Sequence, residues 1–433
     1  MKRALLKMAS VYLIYVAFFV LQKLLFACVY SRLIGLTGIS DIIDIIGHGL
    51  SMDCSMAAYL TVIPALLVIA GLWTRRKWPR IAATGYFMAT SACLSVITVL
   101  DLVLYGYWDF RLDMTPLFYF TTSPVAAMAS AEWWQLPAGV AAMGLIGWGL
   151  YKLFAITVMR IETDRSRRGV TTAVMALLTA ALFVPIRGGF TVSTMNLSRA
   201  YFSSNQRFNH AAINPAFSLM YSATHQNDFA SQYRFMSREE AAETLSALNA
   251  TAMPDTTVCN GGDKPEFLKN RRPDIWLIIL ESFSAHLLES LGGENIAVNL
   301  DSLGREGIMF SNFYANSFRT DRALPAILSG FPSQPSTSIM KFVDKAGHLP
   351  SIAASLNSNG YRSSYYYGGD INFTNMKAYL VSSGFERIIC DKDFSLKERA
   401  SKWGAPDHLV FERALSDAAA GSDDDTPHFN VIQ

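Results

Sequence analysis

Five long apolar segments, separated by short polar loops, dominate the first 190 residues of this chain. Each contains roughly the 20 apolar residues that a helix needs to cross a hydrocarbon layer about 30 Å thick. A chain that crosses lipid must pair its own backbone groups, so the pattern predicts five transmembrane helices. Their approximate limits are Met8–Tyr30, Ser55–Trp73, Ile81–Tyr105, Leu136–Val158 and Val170–Phe190.

The basic residues of this region lie at alternate ends of the predicted helices. They stand before the first helix (Lys2, Arg3, Lys7), between the second and third (Arg75, Arg76, Lys77, Arg80), and between the fourth and fifth (Arg160, Arg165, Arg167, Arg168). Basic loops stay in the cytoplasm, and five spans then place everything after about residue 190 on the other side. The pattern predicts a multi-pass protein of the cell inner or plasma membrane with an extracytoplasmic C-terminal part.

Composition changes along the chain and divides it into three parts. Residues 1–190 form the transmembrane domain, 191–272 an amphipathic linker, and 273–433 an α/β domain. Short amphipathic helices are expected in the linker at Ala216–Tyr221 and Glu239–Leu248. The formal net charge of +2 comes with no basic stripe, so nucleic acid is not an expected partner.

From Pro273 onward, strand and helix patterns alternate, which predicts a mostly parallel sheet covered on both faces. Ligand sites in such sheets lie beyond the carboxyl ends of the strands. The predicted strands are Ile275–Leu280, Gly307–Tyr314, Tyr361–Tyr367 and His428–Ile432. The predicted helices are Asn299–Glu306, a helix from the Thr320 region to Leu328, His348–Ser358, Phe373–Ser382 and Asp407–Ala419.

Glu281 and Thr320 are the candidate chemical residues of this domain. Glu281 ends the first predicted strand, and Thr320 stands where a helix begins. A threonine hydroxyl needs a base or a metal ion to act as a nucleophile, and a carboxylate is a hard oxygen ligand for such an ion. Arg319 and Arg322 can bind phosphate oxygens with two hydrogen bonds each. The alternative is that Thr320 and Asp321 only cap a helix.

Several stretches together resemble the lipoteichoic acid synthase family, in the sulfatase-like branch of the alkaline phosphatase superfamily. The resemblance extends to the five apolar segments, so it covers nearly the whole chain. Its motifs are Leu280–Ser284, Asn299–Leu303, Phe313–Asn316, Arg319–Arg322, Leu328–Pro332, Tyr367–Phe373 and Gly384-Phe385.

The resemblance implies a membrane-bound phosphoglycerol transferase of the cell envelope. Thr320 matches the family's nucleophile and Glu281 one of its metal ligands, while Asp370, Phe373 and Asn375 fall in the segment that lines its substrate pocket. The implied cofactor is a divalent ion, Mn²⁺ first, with Mg²⁺ or Zn²⁺ as alternatives. The implied donor is a phospholipid such as phosphatidylglycerol, and the implied acceptor is an envelope glycan or glycolipid.

The chain also departs from that family. The family completes its metal site with downstream Asp and His residues, so we expect this sequence to be a truncated form of a longer protein, and this fragment to be inactive. Two alternatives stay open: a phosphoethanolamine transferase of the same superfamily, and a non-catalytic membrane-anchored binding protein. Sulfate ester hydrolysis is disfavoured, because sulfatases proper have the pattern Cys/Ser-x-Pro-x-Arg and this pattern is absent around Thr320.

Overall fold

The computed structural model describes most of the chain, in eight stretches and three single residues. The described residues are 1–114, 116, 134–160, 167–225, 235–252, 270, 272–334, 337–399, 401, 403–420 and 426–433.

The predicted apolar segments are helices that are long and apolar enough to cross a membrane, and the described residues contain five of them. They are Lys2–Val29, Ile39–Trp73, Trp78–Trp108, Gln135–Thr157, and Arg168–Ala181 continued by Phe183–Arg187; we call them the first to fifth spans. The second span begins well before the predicted Ser55. Its leading turns carry Asp41, Asp44 and His48, which the apolar pattern could not include.

Short helices build the linker, and asparagine residues start three of them. The side chains of Asn196, Asn205 and Asn214 each accept a hydrogen bond from a backbone N–H of the first turn, the usual role of an N-cap residue. The helices of the linker are Leu197–Ala200, Gln206–Ala212, Pro215–Thr224 and Arg238–Ala252, and the short helix Ser31–Ile34 follows the first span. Both predicted amphipathic segments lie within these helices.

The linker is packed onto one end of the helical bundle, next to the end of the first span and the start of the second. Its residues Leu197, Ala211 and Ile213 share one buried core with Phe26 and Met52 of those spans. Two clusters of buried polar contacts strengthen this junction. In the first, Lys23 pairs with Asp53, which also accepts a hydrogen bond from Asn214 at 2.9 Å. In the second, Arg111 pairs with Asp101 and donates a hydrogen bond to the His210 carbonyl at 2.9 Å.

The domain from residue 273 contains a sheet of four parallel strands in the described residues, in the order β1-β4-β2-β3. They are β1 (Ile275–Ile278), β2 (Arg362–Tyr366), β3 (Arg387–Ile389) and β4 (His428–Ile432). Its helices are Val298–Glu306, Thr320–Ser329, Val343–Ala346, Ile352–Ser358, Met376–Ser382 and Asp407–Ala420, with 3-10 turns at Ala285–Leu287, Glu289–Leu291, Ile339–Lys341, Phe373–Asn375 and Asp391–Asp393. The predicted parallel sheet is confirmed.

Successive residues of β2 show that helices cover both faces of this sheet. Tyr365 is buried on one face in the core that contains Leu324 and Leu328 of the Thr320–Ser329 helix. Tyr366 is buried on the other face against Val410 of the Asp407–Ala420 helix. Because neighbouring strand residues point to opposite faces, burial of both requires a layer on each side.

Three details of the prediction are wrong. Residues Gly307–Tyr314 do not form a strand, because no neighbouring strand pairs with them; Phe310 and Phe313 are 72% and 82% exposed. The helix expected from His348 begins only at Ile352, because Ser351 caps it and Pro350 precedes that cap. Strand β3 was not expected, since three residues are too few to show a pattern.

Candidate active site

The two candidate chemical side chains are in direct contact. The hydroxyl of Thr320 donates a hydrogen bond to Oε1 of Glu281 at 2.8 Å, although 39 residues separate them in the chain. Glu281 follows the carboxyl end of β1, and Thr320 is the first residue of its helix. The structure therefore brings the two candidate residues together at this edge of the sheet.

A sharp turn directly follows Glu281. Ser282 has a φ of 58°, in the left-handed region that residues other than glycine rarely adopt. Strained backbone of this kind persists where surrounding structure holds it, and it is concentrated at functional sites. The turn ends β1 and leaves Glu281 at the tip of the strand, exposed and next to Thr320.

The first turn of the Thr320–Ser329 helix provides positive potential beside this pair. Backbone N–H groups at a helix start have no partner within the helix and favour an anion. Arg319 lies half exposed at this end, with its Nε 3.4 Å from the buried carboxylate of Asp321. Arg322 is half-buried, and its guanidinium lies 5.4 Å from the centre of the Phe318 ring.

A cavity of about 550 Å³ opens beside the pair, at the carboxyl edge of the sheet. This volume lies within the usual range for small-ligand sites, about 300–1,000 Å³. Glu281, Thr320 and Phe373 line it, and the other lining residues include Phe283, Tyr367, Trp403 and Asp407. Burial, together with the charge of Glu281, raises the pKa of Tyr367 to about 12, so its hydroxyl remains a hydrogen-bond donor at neutral pH.

Two glycines allow one wall of the cavity to form. The amide of Ala405 donates to the carbonyl of Gly368 at 2.9 Å, which brings the loop around Trp403 against the end of β2. A Cβ on Gly404, which has a φ of 111°, would overlap that same carbonyl oxygen. Only glycine fits this approach and this backbone angle without strain.

Asp370 and Asn375 are not among the residues that line this cavity; they bind the linker. Asp370 accepts hydrogen bonds from the amide and the hydroxyl of Ser193. Burial raises its pKa, but these hydrogen bonds and those from Asn372 outweigh burial and leave the pKa below its usual value. Asn375 is fully buried; it donates to the Tyr221 hydroxyl at 2.9 Å and accepts from the Ser198 amide at 3.2 Å.

The contacts with the linker hold the segment that carries Phe373. Thr374 and Asn375 have φ values of 50° and 63°, and a positive φ is a strong exception for a β-branched residue such as threonine. Asn375 is fixed by the linker on one side, while Phe373, two residues away, lines the cavity. The linker therefore positions part of the cavity wall.

The fit of these residues to a divalent metal ion is partial. The Thr320 and Glu281 oxygens are hard donors, and at 2.8 Å apart they can face one ion. Within the described residues, no group of three or more His, Cys, Asp or Glu side chains could hold an ion. Two oxygen donors do not complete a coordination sphere, so the described residues alone do not make a full metal site.

Sequence reasoning missed the aromatic lining of the cavity. Tyr367 was assigned to a strand and Phe283 to a motif, while Trp403 lies in a loop for which no role was predicted. The one local signal at Trp403 was the Gly-Ala-Pro that follows it, which is typical of a tight turn but says nothing about a cavity.

Comparison with known proteins gives a match of residues 273–433 to the sulfatase family model. Among solved structures, a protein in the alkaline phosphatase superfamily from Vibrio parahaemolyticus is 30% identical, over 38% of this chain and 41% of that chain, with a TM-score of 0.36. The lipoteichoic acid synthase LtaP from Listeria monocytogenes is 17% identical, over 37% of this chain and 40% of that one, with a TM-score of 0.34.

The matched part of the chain thus spans about two fifths of the length of these solved structures. The family match covers all four described strands of the sheet and both residues of the contacting pair. It confirms the sulfatase-like resemblance of the sequence and supports an enzyme. The part of this chain from residue 273 to residue 433 matches the sulfatase family model and is a sulfatase-like domain, preceded by five helices that are long and apolar enough to cross a membrane.

Proposed function

We propose that this protein is a membrane-bound phosphotransferase that moves a glycerophosphate head group from a phospholipid to an envelope glycan or glycolipid. The donor is phosphatidylglycerol or a similar lipid, and the intermediate is a phosphodiester of Thr320. One observation carries the proposal: the Thr320 hydroxyl contacts the Glu281 carboxylate at 2.8 Å, at the start of a helix and beside a cavity of about 550 Å³.

In the first half of the reaction, Oγ1 of Thr320 attacks the phosphorus of the lipid. A new O–P bond forms, the O–P bond to the diacylglycerol breaks, and the diacylglycerol leaves with a proton. Glu281 accepts the hydrogen bond of the Thr320 hydroxyl and is placed to take its proton. In the second half, a hydroxyl of the acceptor attacks the same phosphorus and releases Thr320.

The helix start and the two arginines assist this step electrostatically. Charge develops on the phosphoryl oxygens, and the positive potential of a helix start such as that at Thr320 stabilises such charge. Arg319, half exposed at the helix start, can reach a bound phosphate, and Arg322 adds positive charge from the next turn.

A divalent ion, expected to be Mn²⁺ with Mg²⁺ or Zn²⁺ as alternatives, would be held by Glu281 and Thr320. Such an ion would stabilise the ionised oxygen of threonine and the charge on the phosphoryl group. Further ligands beyond these two are required, since hard divalent ions take about six or more.

The five spans support a lipid donor, because they would hold the domain at a bilayer surface. The basic loops after the second and fourth spans favour an orientation in which the domain faces away from the cytoplasm. Phosphatidylglycerol and the envelope acceptor would then meet at the outer surface of the plasma or inner membrane.

A second candidate is a non-catalytic, membrane-anchored binding protein. The observation that favours it is that the described residues contain no cluster of three metal-binding side chains. A phosphoethanolamine transferase of the same superfamily would use the same pair, and it differs only in the head group that Thr320 retains.

The test is to trap the covalent intermediate on the whole protein, purified from its own membrane, because Glu281 and Thr320 alone do not complete a metal site. The protein in detergent with Mn²⁺ receives phosphatidylglycerol labelled in its head-group glycerol, or phosphatidylethanolamine, with no acceptor present, and peptides are analysed by mass spectrometry. We expect glycerophosphate on Thr320, no adduct in Thr320→Ala, and a retained adduct in Thr320→Ser. The control is Ser358→Ala, an exposed hydroxyl at the end of another helix.

Each outcome decides between the candidates. Ethanolamine phosphate on Thr320 would assign the alternative transferase. If neither lipid modifies the protein but the protein still binds lipid, the result would assign the binding role. Labelling that survives in Thr320→Ala would place the nucleophile elsewhere and contradict the proposal.

A further inference from the structure

A second cavity lies at the end of the helical bundle that is opposite to the linker and away from the sulfatase-like domain. Its volume is about 370 Å³. It is bordered by the start of the first span, the end of the second, the start of the third and the end of the fourth. The linker contacts the opposite ends of the first three of these helices. The two cavities are therefore separated by the length of the bundle.

The rim of this cavity is strongly basic. Five of the described lining residues carry a positive charge: Lys7, Arg75, Arg76, Lys77 and Arg80. The same described lining contains no Asp or Glu. The side chains of the four basic residues 75, 76, 77 and 80 are exposed in the described structure, so a ligand can reach them.

The inner wall of the cavity is apolar, in contrast to the rim. Met8, Val11, Phe87 and Val158 line it and are buried among the helices. Leu67 and Val68 of the second span complete this wall. A ligand that fits both the rim and the wall has an anionic head and a hydrocarbon body. An anion without a hydrocarbon body would not contact the apolar wall, and a neutral apolar molecule would not pair with the basic rim.

We propose that this cavity binds one anionic phospholipid, with its phosphate among the arginines of the loop between the second and third spans. One acyl chain lies against the apolar wall. Basic pockets between transmembrane helices bind anionic head groups in this way, and each basic residue near such a head group contributes about 1 kcal/mol. The site differs from the Thr320 cavity in place and in chemistry, because no candidate nucleophile–carboxylate pair lines it among the described residues.

Gly71 offers a direct way to block the site. It lines the cavity, and a Cβ added to it meets no atom within 4 Å, so the backbone at this position has room for the first atom of a larger side chain. Gly85 has the same free surroundings on the third span but does not line the cavity. Gly71→Leu and Gly85→Leu are therefore matched variants, with the same change in a transmembrane helix.

The experiment measures lipid binding by native mass spectrometry of the full chain in detergent. Phosphatidylglycerol, phosphatidylcholine and inorganic phosphate are added in separate titrations. Beyond any phosphatidylglycerol held at the Thr320 cavity, we expect saturable binding of one phosphatidylglycerol. Gly85→Leu retains this binding, and Gly71→Leu weakens it by tenfold or more. Phosphatidylcholine and inorganic phosphate are expected to bind at least tenfold more weakly, since one lacks net charge and the other lacks the acyl chain.

Charge variants give an independent measure. Arg76→Gln with Lys77→Gln is expected to weaken phosphatidylglycerol binding by roughly 25-fold, about fivefold for each lost cation. The control is Arg167→Gln with Arg168→Gln, which removes the same charge at the same end of the bundle but outside the lining. Arg168 instead lies over the Trp73 ring.

Three results would overturn the proposal. They are equal binding by Gly71→Leu and Gly85→Leu, equal loss in the two charge variants, and binding of inorganic phosphate as tight as that of the lipid. A Thr320→Ala variant is expected to bind the lipid unchanged, so failure of the proposed transferase reaction and failure of this site are separate outcomes.

Discussion

His210 connects the linker to the helical bundle and should make that junction sensitive to pH. Its ring lies in the interior, hydrogen-bonded to the Tyr105 hydroxyl at 3.1 Å and packed edge-on against the Phe110 ring. Burial, assisted by the nearby charges of Arg111 and Arg207 and opposed by Asp109, lowers the pKa of His210 from its usual 6.5 to about 4. The neutral ring is therefore the form that the folded protein holds.

The magnitude follows from the two pKa values. A base with a lowered folded pKa contributes full stability above its unfolded pKa of 6.5, and this contribution is lost as pH falls through the folded value of about 4. Between pH 7.5 and pH 5 the unfolded chain gains nearly one proton that the folded chain does not. The expected loss in free energy of unfolding is about 2 kcal/mol.

The assay compares thermal unfolding midpoints at pH 7.5 and pH 5 for the wild type and His210→Phe, in the same detergent. Phenylalanine keeps the ring contacts with Tyr105 and Phe110 but cannot take a proton. About 2 kcal/mol corresponds to roughly 2 °C for a chain of this size, since the entropy of unfolding is about 2.1 cal/mol/K per residue. Between pH 7.5 and pH 5, we expect the unfolding midpoint of the wild type to fall further than that of His210→Phe, and the difference should equal this shift.

His408→Phe is the control, because His408 is exposed on the Asp407–Ala420 helix. Its midpoint should fall with pH as the wild-type midpoint does. If His210→Phe loses as much stability as the wild type between the two pH values, the buried ring is not the group that titrates, and the reasoning from burial is wrong.

Two further substitutions test the candidate site and its support. Glu281→Gln keeps the size of the side chain but removes its charge, so formation of the Thr320 intermediate should slow by about 10²–10⁴-fold in single-turnover measurements; an unchanged rate would contradict the role of Glu281 as proton acceptor. Asn375→Ala removes the hydrogen bond to the half-buried Tyr221 hydroxyl and one of the two acceptors of the Ser198 amide, so it should lower the free energy of unfolding by about 1–3 kcal/mol. Chemical denaturation beside the exposed Asn359→Ala measures this, and equal stability of the two variants would show that the linker contact is not energetically important.

The apolar pattern of the sequence predicted the elements whose own residues form continuous apolar runs. The five spans are long apolar runs and β1 is a short one, so local sequence carries their signal, whereas β2 and β4 contain polar residues such as Ser363 and Asn430. The same signal misled at Gly307–Tyr314, where the apolar residues are exposed and lack a strand partner. Strand β3 has only three residues, and its place in the sheet depends on its pairing with β2.

The candidate pair was also predicted from local sequence, since a carboxylate at a strand end and a hydroxyl at a helix start are features of a few neighbouring residues. Their contact at 2.8 Å, the aromatic cavity around them and the attachment of Asn375 to Tyr221 arise only in the tertiary structure. Local patterns report burial and backbone preference within a few residues. Contacts such as that of Asn375 and Tyr221, 154 positions apart, depend on how whole surfaces of the linker and the domain fit together.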